Sequence, residues 1–174
     1  MAEAALSLGS NLGDRAGFLT AALKAIDARP DCSLVSVSSV YRTRPWGRTD
    51  QGDFLNLCVL VETRLAPPDL LAAMQGIEQA LGRTAGERWG PRVIDIDVLV
   101  MDGVTLESEA LTLPHPRMAE RLFVLMPLAE IAPETKVAGK PVRQTARELE
   151  AAGRPDDCVM DVDASMTIRA AVAP

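Results

Sequence analysis

Histidine is nearly absent from this 174-residue chain: His115 is the only one. That excludes histidine-rich metal sites, and it excludes Ser-His-Asp hydrolysis unless His115 itself is the base. Cysteine is scarce too, with Cys32, Cys58 and Cys158 scattered at no metal-ligand spacing. Three is an odd number, so reduced thiols of a cytoplasmic protein are expected rather than a disulfide framework. Positive charge is in deficit, 18 Lys and Arg against 24 Asp and Glu, for a net charge of −6. No nucleic-acid partner is expected, and the arginines matter by position rather than number. No long apolar run occurs. The richest stretch, 122–131, contains Pro127 and Glu130 and falls far short of the ~20 residues that span a bilayer. The first residues carry no basic segment, so neither a signal peptide nor a membrane partner is expected.

What is present is ordinary globular material, 48% hydrophobic and 24% charged. The length fits one domain over 1–174 with a real core. The most informative stretch is Arg88-Trp89-Gly90-Pro91-Arg92-Val93-Ile94-Asp95-Ile96-Asp97-Val98-Leu99. It reads as a basic Gly/Pro loop running into a strand. Side chains of a strand alternate between faces, so Ile94, Ile96, Val98 and Val100 are expected on one side. Asp95 and Asp97 then share the other, roughly 7 Å apart. The aliphatic neighbours point to a central strand. Two carboxylates there are costly unless a cation pairs with them. Mg2+ takes oxygen ligands and shares them with substrate phosphates, which Arg88 and Arg92 could hold. An Asp-x-Asp pair alone also fits a solvated edge strand; the adjoining Arg-Trp-Gly-Pro-Arg loop favours a site.

Periodicity predicts a strand over 3–9, then a turn at Gly9-Ser10-Asn11-Leu12-Gly13-Asp14 rich in helix-capping residues. A helix follows and ends before Pro30. Strands are predicted over 33–43 and 54–64, with a Pro/Gly-containing loop over 44–53 between them. A second helix starts at Pro67-Pro68-Asp69 and ends at Gly82. The order β-α-β-β-α-β is that of a ferredoxin-like α+β fold: an antiparallel sheet with both helices on one face. C-terminal additions are expected as helices over 116–131 and 142–152 and a strand around 158–169. The tail 156–174 receives no role.

The open face then carries Phe54 and Asn56 on one strand and Asp95 and Asp97 on another. An aromatic beside an amide suits a flat heterocycle. Thr43-Arg44-Pro45-Trp46-Gly47 and the loop 82–90 read as lids. Gln75 and Glu78, three apart on the second helix, read as solvated unless something else supports them. Three reaction classes fit these residues: phosphoryl-type transfer to a planar acceptor, metal-dependent nucleotidyl transfer or phosphohydrolysis, and ligand binding without catalysis.

Taken together, Gly9-Ser10-Asn11-Leu12-Gly13, Val37-Ser38-Ser39-Val40-Tyr41-Arg42-Thr43, Phe54-Leu55-Asn56, Ile77-Glu78, Gly82-Arg83, Arg88-Trp89-Gly90-Pro91-Arg92, Asp95-Ile96-Asp97 and Pro114-His115-Pro116-Arg117-Met118 resemble the 6-hydroxymethyl-7,8-dihydropterin pyrophosphokinase family over roughly residues 4–133. The resemblance implies transfer of the terminal pyrophosphate of ATP to the pterin hydroxymethyl group, releasing AMP, in folate biosynthesis. It implies a monomer acting on ATP and 6-hydroxymethyl-7,8-dihydropterin. It implies two Mg2+ ions held by Asp95 and Asp97, with Arg83 and Arg92 beside them in catalysis. Thr43, Pro45, Trp46, Phe54, Asn56 and Phe123 would line the pterin pocket. Gln75, Glu78, Arg83, Trp89, Arg92, His115 and Arg121 would surround the nucleotide. The sequence departs from the family in three places. Thr84-Ala85-Gly86-Glu87 is a residue shorter and lacks an arginine often found there, Trp46 stands where leucine is frequent, and Phe54 where tyrosine is frequent.

Overall fold

A computed structural model of the chain describes residues 1–45, 51–83, 92–153 and 157–173. Strand β1 (Ala2–Ser10) leads into helix α1 (Arg15–Asp27), whose N-cap Asp14 accepts a hydrogen bond from the Gly17 amide. The strand predicted over 33–43 is two strands, β2 (Cys32–Val37) and β3 (Val40–Thr43). They break at Ser38–Ser39, where the Ser38 hydroxyl accepts from the Cys58 amide and donates to the Ser39 carbonyl. A serine hydroxyl competes well with ladder hydrogen bonds, and here it bridges the interruption. Strand β4 (Phe54–Thr63), helix α2 (Pro67–Ala80) and strand β5 (Asp95–Met101) complete the βαββαβ unit.

All pairings are antiparallel. β1 lies between β4 and β5, and β2 and β3 pair with successive parts of β4. One face packs on α1 and α2 through Leu6, Leu8, Leu57, Val59, Ile96 and Val98. The alternation expected of β5 fails at its end. Ala5 pairs with Val100 and Leu6 with Val98, so Leu99 is an extra residue, and Leu99 and Val100 both join the opposite cluster. Met101 takes the place expected of Val100. This is a β-bulge, which sequence alternation alone cannot show.

The segment 116–131 is not one helix. A 3-10 turn (Met118–Glu120) precedes helix α3 (Leu122–Ile131). Between β5 and that turn lies the short ribbon β6 (Leu106–Glu107) and β7 (Thr112–Leu113). After α3 comes the hairpin β8 (Lys136–Val137) and β9 (Lys140–Pro141), then helix α4 (Val142–Ala152), as predicted for 142–152. The hairpin turns through positive φ at Ala138 and Gly139. The tail is only briefly a strand: β10 (Cys158–Asp161) pairs with β3, and helix α5 (Val162–Val172) follows, its N-cap Asp161 accepting from the Ala164 amide. Ala164 and Ile168 enter the main core, so apolar spacing there is helical rather than alternating.

Candidate active site

Strand register builds the site floor. Gly9 of β1 pairs with Asn56 on one side and Asp95 on the other, and Ser7 pairs with Cys58 and Asp97. Gly9 is required by close approach: a Cβ there would sit 2.7 Å from Asn56 Oδ1. The Asn56 amide therefore lies over the backbone of β1, and its Nδ2 donates to Thr43 Oγ1 at 2.8 Å. Phe54, two residues along β4, and Phe123, at the start of α3, line the same cavity of about 580 Å³ as this amide. That volume suits a small-molecule ligand.

The other end of the cavity is charged. Asp95 Oδ1 accepts from Arg92 Nη1 at 2.7 Å and faces Arg83 Nη1 at 2.9 Å. Glu78, buried on α2, holds Arg83 from behind through an ion pair, and its Oε1 accepts from the Ile96 amide at 2.6 Å. Burial raises its carboxyl above the usual range, against the pull of those two partners. Asp97 is less well compensated. Arg121 Nη1 stays 3.7 Å from its Oδ2, beyond hydrogen-bond reach. Loss of hydration, then repulsion from Asp95, pushes its carboxyl up to about 6, although 38% of the side chain remains accessible through the cavity. His115 is pushed down by burial and by the charges of Arg121 and Arg117. Its Nδ1 accepts from the Arg117 amide at 3.2 Å, so neutral His115 carries its proton on Nε2.

Of the residues expected here, Thr43, Phe54, Asn56, Arg92, Asp95, Asp97, His115, Arg121 and Phe123 line this single cavity. Arg83 reaches it through Asp95, and Glu78 stands behind Arg83. Gln75 is exposed on α2 and does not line the cavity. Pro45 follows the lining residue Arg44 but is not itself in the wall. Trp46, Trp89, Arg88 and Thr84–Glu87 lie outside the described residues, as do both proposed lid tips. The cavity also takes in Ser7, Arg44 and Glu120, which residue type alone did not distinguish. Gly9, read in the sequence as the start of a turn, makes room for Asn56. Among the described residues no set of three or more His, Cys, Asp or Glu side chains gathers as a metal site, and no helix is long and apolar enough to cross a membrane.

The chain is 49% identical over 153 residues to 2-amino-4-hydroxy-6-hydroxymethyldihydropteridine pyrophosphokinase of Methylorubrum extorquens, covering 88% of this chain and 97% of the relative. It is 47% identical over 131 residues to the Bacillus subtilis protein of the same name, covering 75% and 78%. Among solved structures, a Plasmodium falciparum HPPK-DHPS superposes with a TM-score of 0.68 at 16% identity over 86% of this chain, which shows the shared fold. The chain spans less than half of that longer protein, 46% of its length. The model of the 7,8-dihydro-6-hydroxymethylpterin-pyrophosphokinase family matches residues 5–133, leaving α4, β10 and α5 outside the match. The ferredoxin-like core is shared with these proteins, and the chain belongs to the 7,8-dihydro-6-hydroxymethylpterin-pyrophosphokinase family.

Proposed function

We propose that the two ends of the cavity divide the family's reaction between them, the Asn56 end taking 6-hydroxymethyl-7,8-dihydropterin and the Asp95–Asp97 end taking the ATP polyphosphate. The observation that carries this reading is the convergence of an amide clamped by Thr43 and a paired carboxylate strand end in one cavity. Asn56 offers donor and acceptor atoms in one plane, matched to the polar edge of a heterocycle, while Phe54 and Phe123 cover its faces. The pterin hydroxyl oxygen attacks the β-phosphorus of ATP and gives up its proton to solvent. The bond from that phosphorus to the α–β bridging oxygen breaks, and AMP leaves. Such a transfer needs alignment and charge neutralisation more than covalent catalysis.

Asp95 and Asp97 are the residues that would hold Mg2+. Both are hard oxygen donors on one face, and Asp97 is raised toward protonation because its charge is under-compensated. Two carboxylates are a sufficient protein contribution, since Mg2+ completes its shell from water and substrate phosphate. Two bound ions would neutralise polyphosphate charge as it shifts toward the leaving group. Arg83 and Arg92 share Asp95 here, and with a cation held by that carboxylate they would be free to face phosphate oxygens. Neutral His115 donates from Nε2 to a phosphate and does not act as base.

Incubation with ATP, Mg2+ and the pterin alcohol, followed by nucleotide separation, tests this. AMP formed only with pterin present, and only with Mg2+, supports the reading. ADP as product, or AMP formed without pterin, would replace it with hydrolysis or nucleotidyl chemistry.

A further inference from the structure

The C-terminal strand and helix lie outside the residues matched to the family, yet they are built into the strand that carries Thr43. β3 is four residues long and cut off from β2 at Ser38–Ser39. It pairs with β4 only from Tyr41 to Thr43. β10 covers its other edge in full register: Cys158 with Thr43, Val159 with Arg42, Met160 with Tyr41, Asp161 with Val40. Three side chains then fasten the start of β3. The buried Ser165 hydroxyl of α5 accepts from the Val40 amide at 2.8 Å and donates to the Asp161 carbonyl at 2.6 Å. Arg169, one turn further, donates from Nη2 to Ser39 Oγ at 2.9 Å and faces Glu130 at 3.8 Å. Glu130 of α3 accepts from the Ser39 amide at 2.9 Å and from the Tyr41 hydroxyl at 2.5 Å.

We infer that β10 and α5 form a clamp that positions the pterin side of the site, with Ser165 and Arg169 as its positioning residues. A short strand without neighbours on its outer edge frays. Thr43 sits at the far end of this strand and fixes Asn56 by their hydrogen bond. Slack in β3 is therefore transmitted to the amide that meets the pterin, on the next strand, and not to Asp95 or Asp97, three strands from β3. This rests on the functional reading above.

The test uses the full chain, with Ser165→Ala, Arg169→Ala and Arg169→Lys. Calorimetry measures affinity for a non-hydrolysable ATP analogue with Mg2+, and for 6-hydroxymethyl-7,8-dihydropterin in its presence. Hydrogen exchange follows the Tyr41 and Thr43 amides. Each alanine variant should weaken pterin about five-fold, the scale of one lost hydrogen bond. The analogue should change little, β3 exchange should quicken, and Arg169→Lys should restore most of the pterin affinity. Equal weakening of both ligands, or unchanged pterin affinity in a folded variant, overturns the clamp. If Ser165→Ala does not fold, Arg169→Ala decides, its side chain being 54% exposed. If the wild-type protein takes up no pterin, the functional reading falls, and β3 exchange alone decides the clamp.

Discussion

Asp95, Asp97 and Leu99 point to the same side of one strand, and what covers them could hardly differ more. Around the first two, the sheet face carries Gly9, Ser7 and Asn56 and opens into the cavity. Around Leu99, the same face carries Ala5, Cys58 and Leu60, sealed by Val124, Leu125 and Leu128 of α3 and by Val142 and Ala146 of α4. The strands do not change; the covering does. One half spends polar groups that the fold does not need, and Asp97 in particular is held with too little countercharge. The other half has the dry packing that compensates for it. A scaffold can host chemistry on a sheet when only part of the face is needed for the core.

Substitutions two residues apart on β5 should therefore fail in opposite ways. Asp97→Ala should lower turnover by about a thousand-fold or more, on the scale of several kcal/mol of charge neutralisation. Its melting temperature should not fall, since a poorly compensated carboxylate is removed. Asp95→Ala should lose comparable turnover. Leu99→Ala should leave the chemistry nearly intact and cost about 3 kcal/mol of stability, because it is fully buried and leaves a cavity under α3. Steady-state kinetics and urea denaturation on both variants check this. A stable Leu99→Ala, or an active Asp97→Ala at saturating Mg2+, breaks the division.

A smaller effect is expected at Gly9, in the polar half. An alanine Cβ would meet Asn56 Oδ1 at 2.7 Å and force the amide away from its Thr43 contact. Pterin affinity should drop about ten-fold, equivalent to ~1.4 kcal/mol, with ATP-analogue affinity nearly unchanged. The control is Ala5→Gly on the apolar half of the same strand. It should lower stability by about 1 kcal/mol through chain entropy and lost packing, without selecting between ligands. Calorimetry of both ligands on both variants separates the two outcomes.

The division was partly legible in the sequence. Alternation in 54–61 and 94–98 put Asn56, Asp95 and Asp97 on the face away from α1 and α2, because strand geometry allows nothing else. What alternation could not show was the neighbour of each residue. Only register brings Gly9 between Asn56 and Asp95, and register depends on long-range pairing. The bulge at Leu99 was equally hidden, since it shows only against β1. The Ser38–Ser39 break does not show in the sequence because serine alternating with valine reads as unbroken strand, and Glu130, which accepts from the Ser39 amide at the break, lies 91 residues away. The tail misled for a related reason: the short run Cys158–Asp161 is a strand, but the apolar residues after it belong to a helix capped by Asp161.

The finest discriminator is pH. Asp97 binds its proton more tightly in the folded protein, at about 6, than at its ordinary 3.8. Folding therefore gains from this group below about pH 4, and that gain is lost as pH rises through about 6. Above that range the ionised carboxylate is a burden that asparagine would not carry. Asp97→Asn should then be more stable than wild type at pH 8, and the difference should vanish near pH 4. Two pKa units would correspond to about 3 kcal/mol, but a carboxylate 38% exposed is screened, and a gain of about 1 kcal/mol is expected. Urea denaturation of both proteins across pH 4–8 measures it, groups away from Asp97 cancelling in the difference. Saturating Mg2+ with the ATP analogue should erase the difference or reverse it, since the bound cation supplies the missing countercharge to Asp97 and none to asparagine. A pH-independent difference between the two proteins would mean that Asp97 is adequately compensated by Arg121 alone, and that the polar half costs the fold nothing.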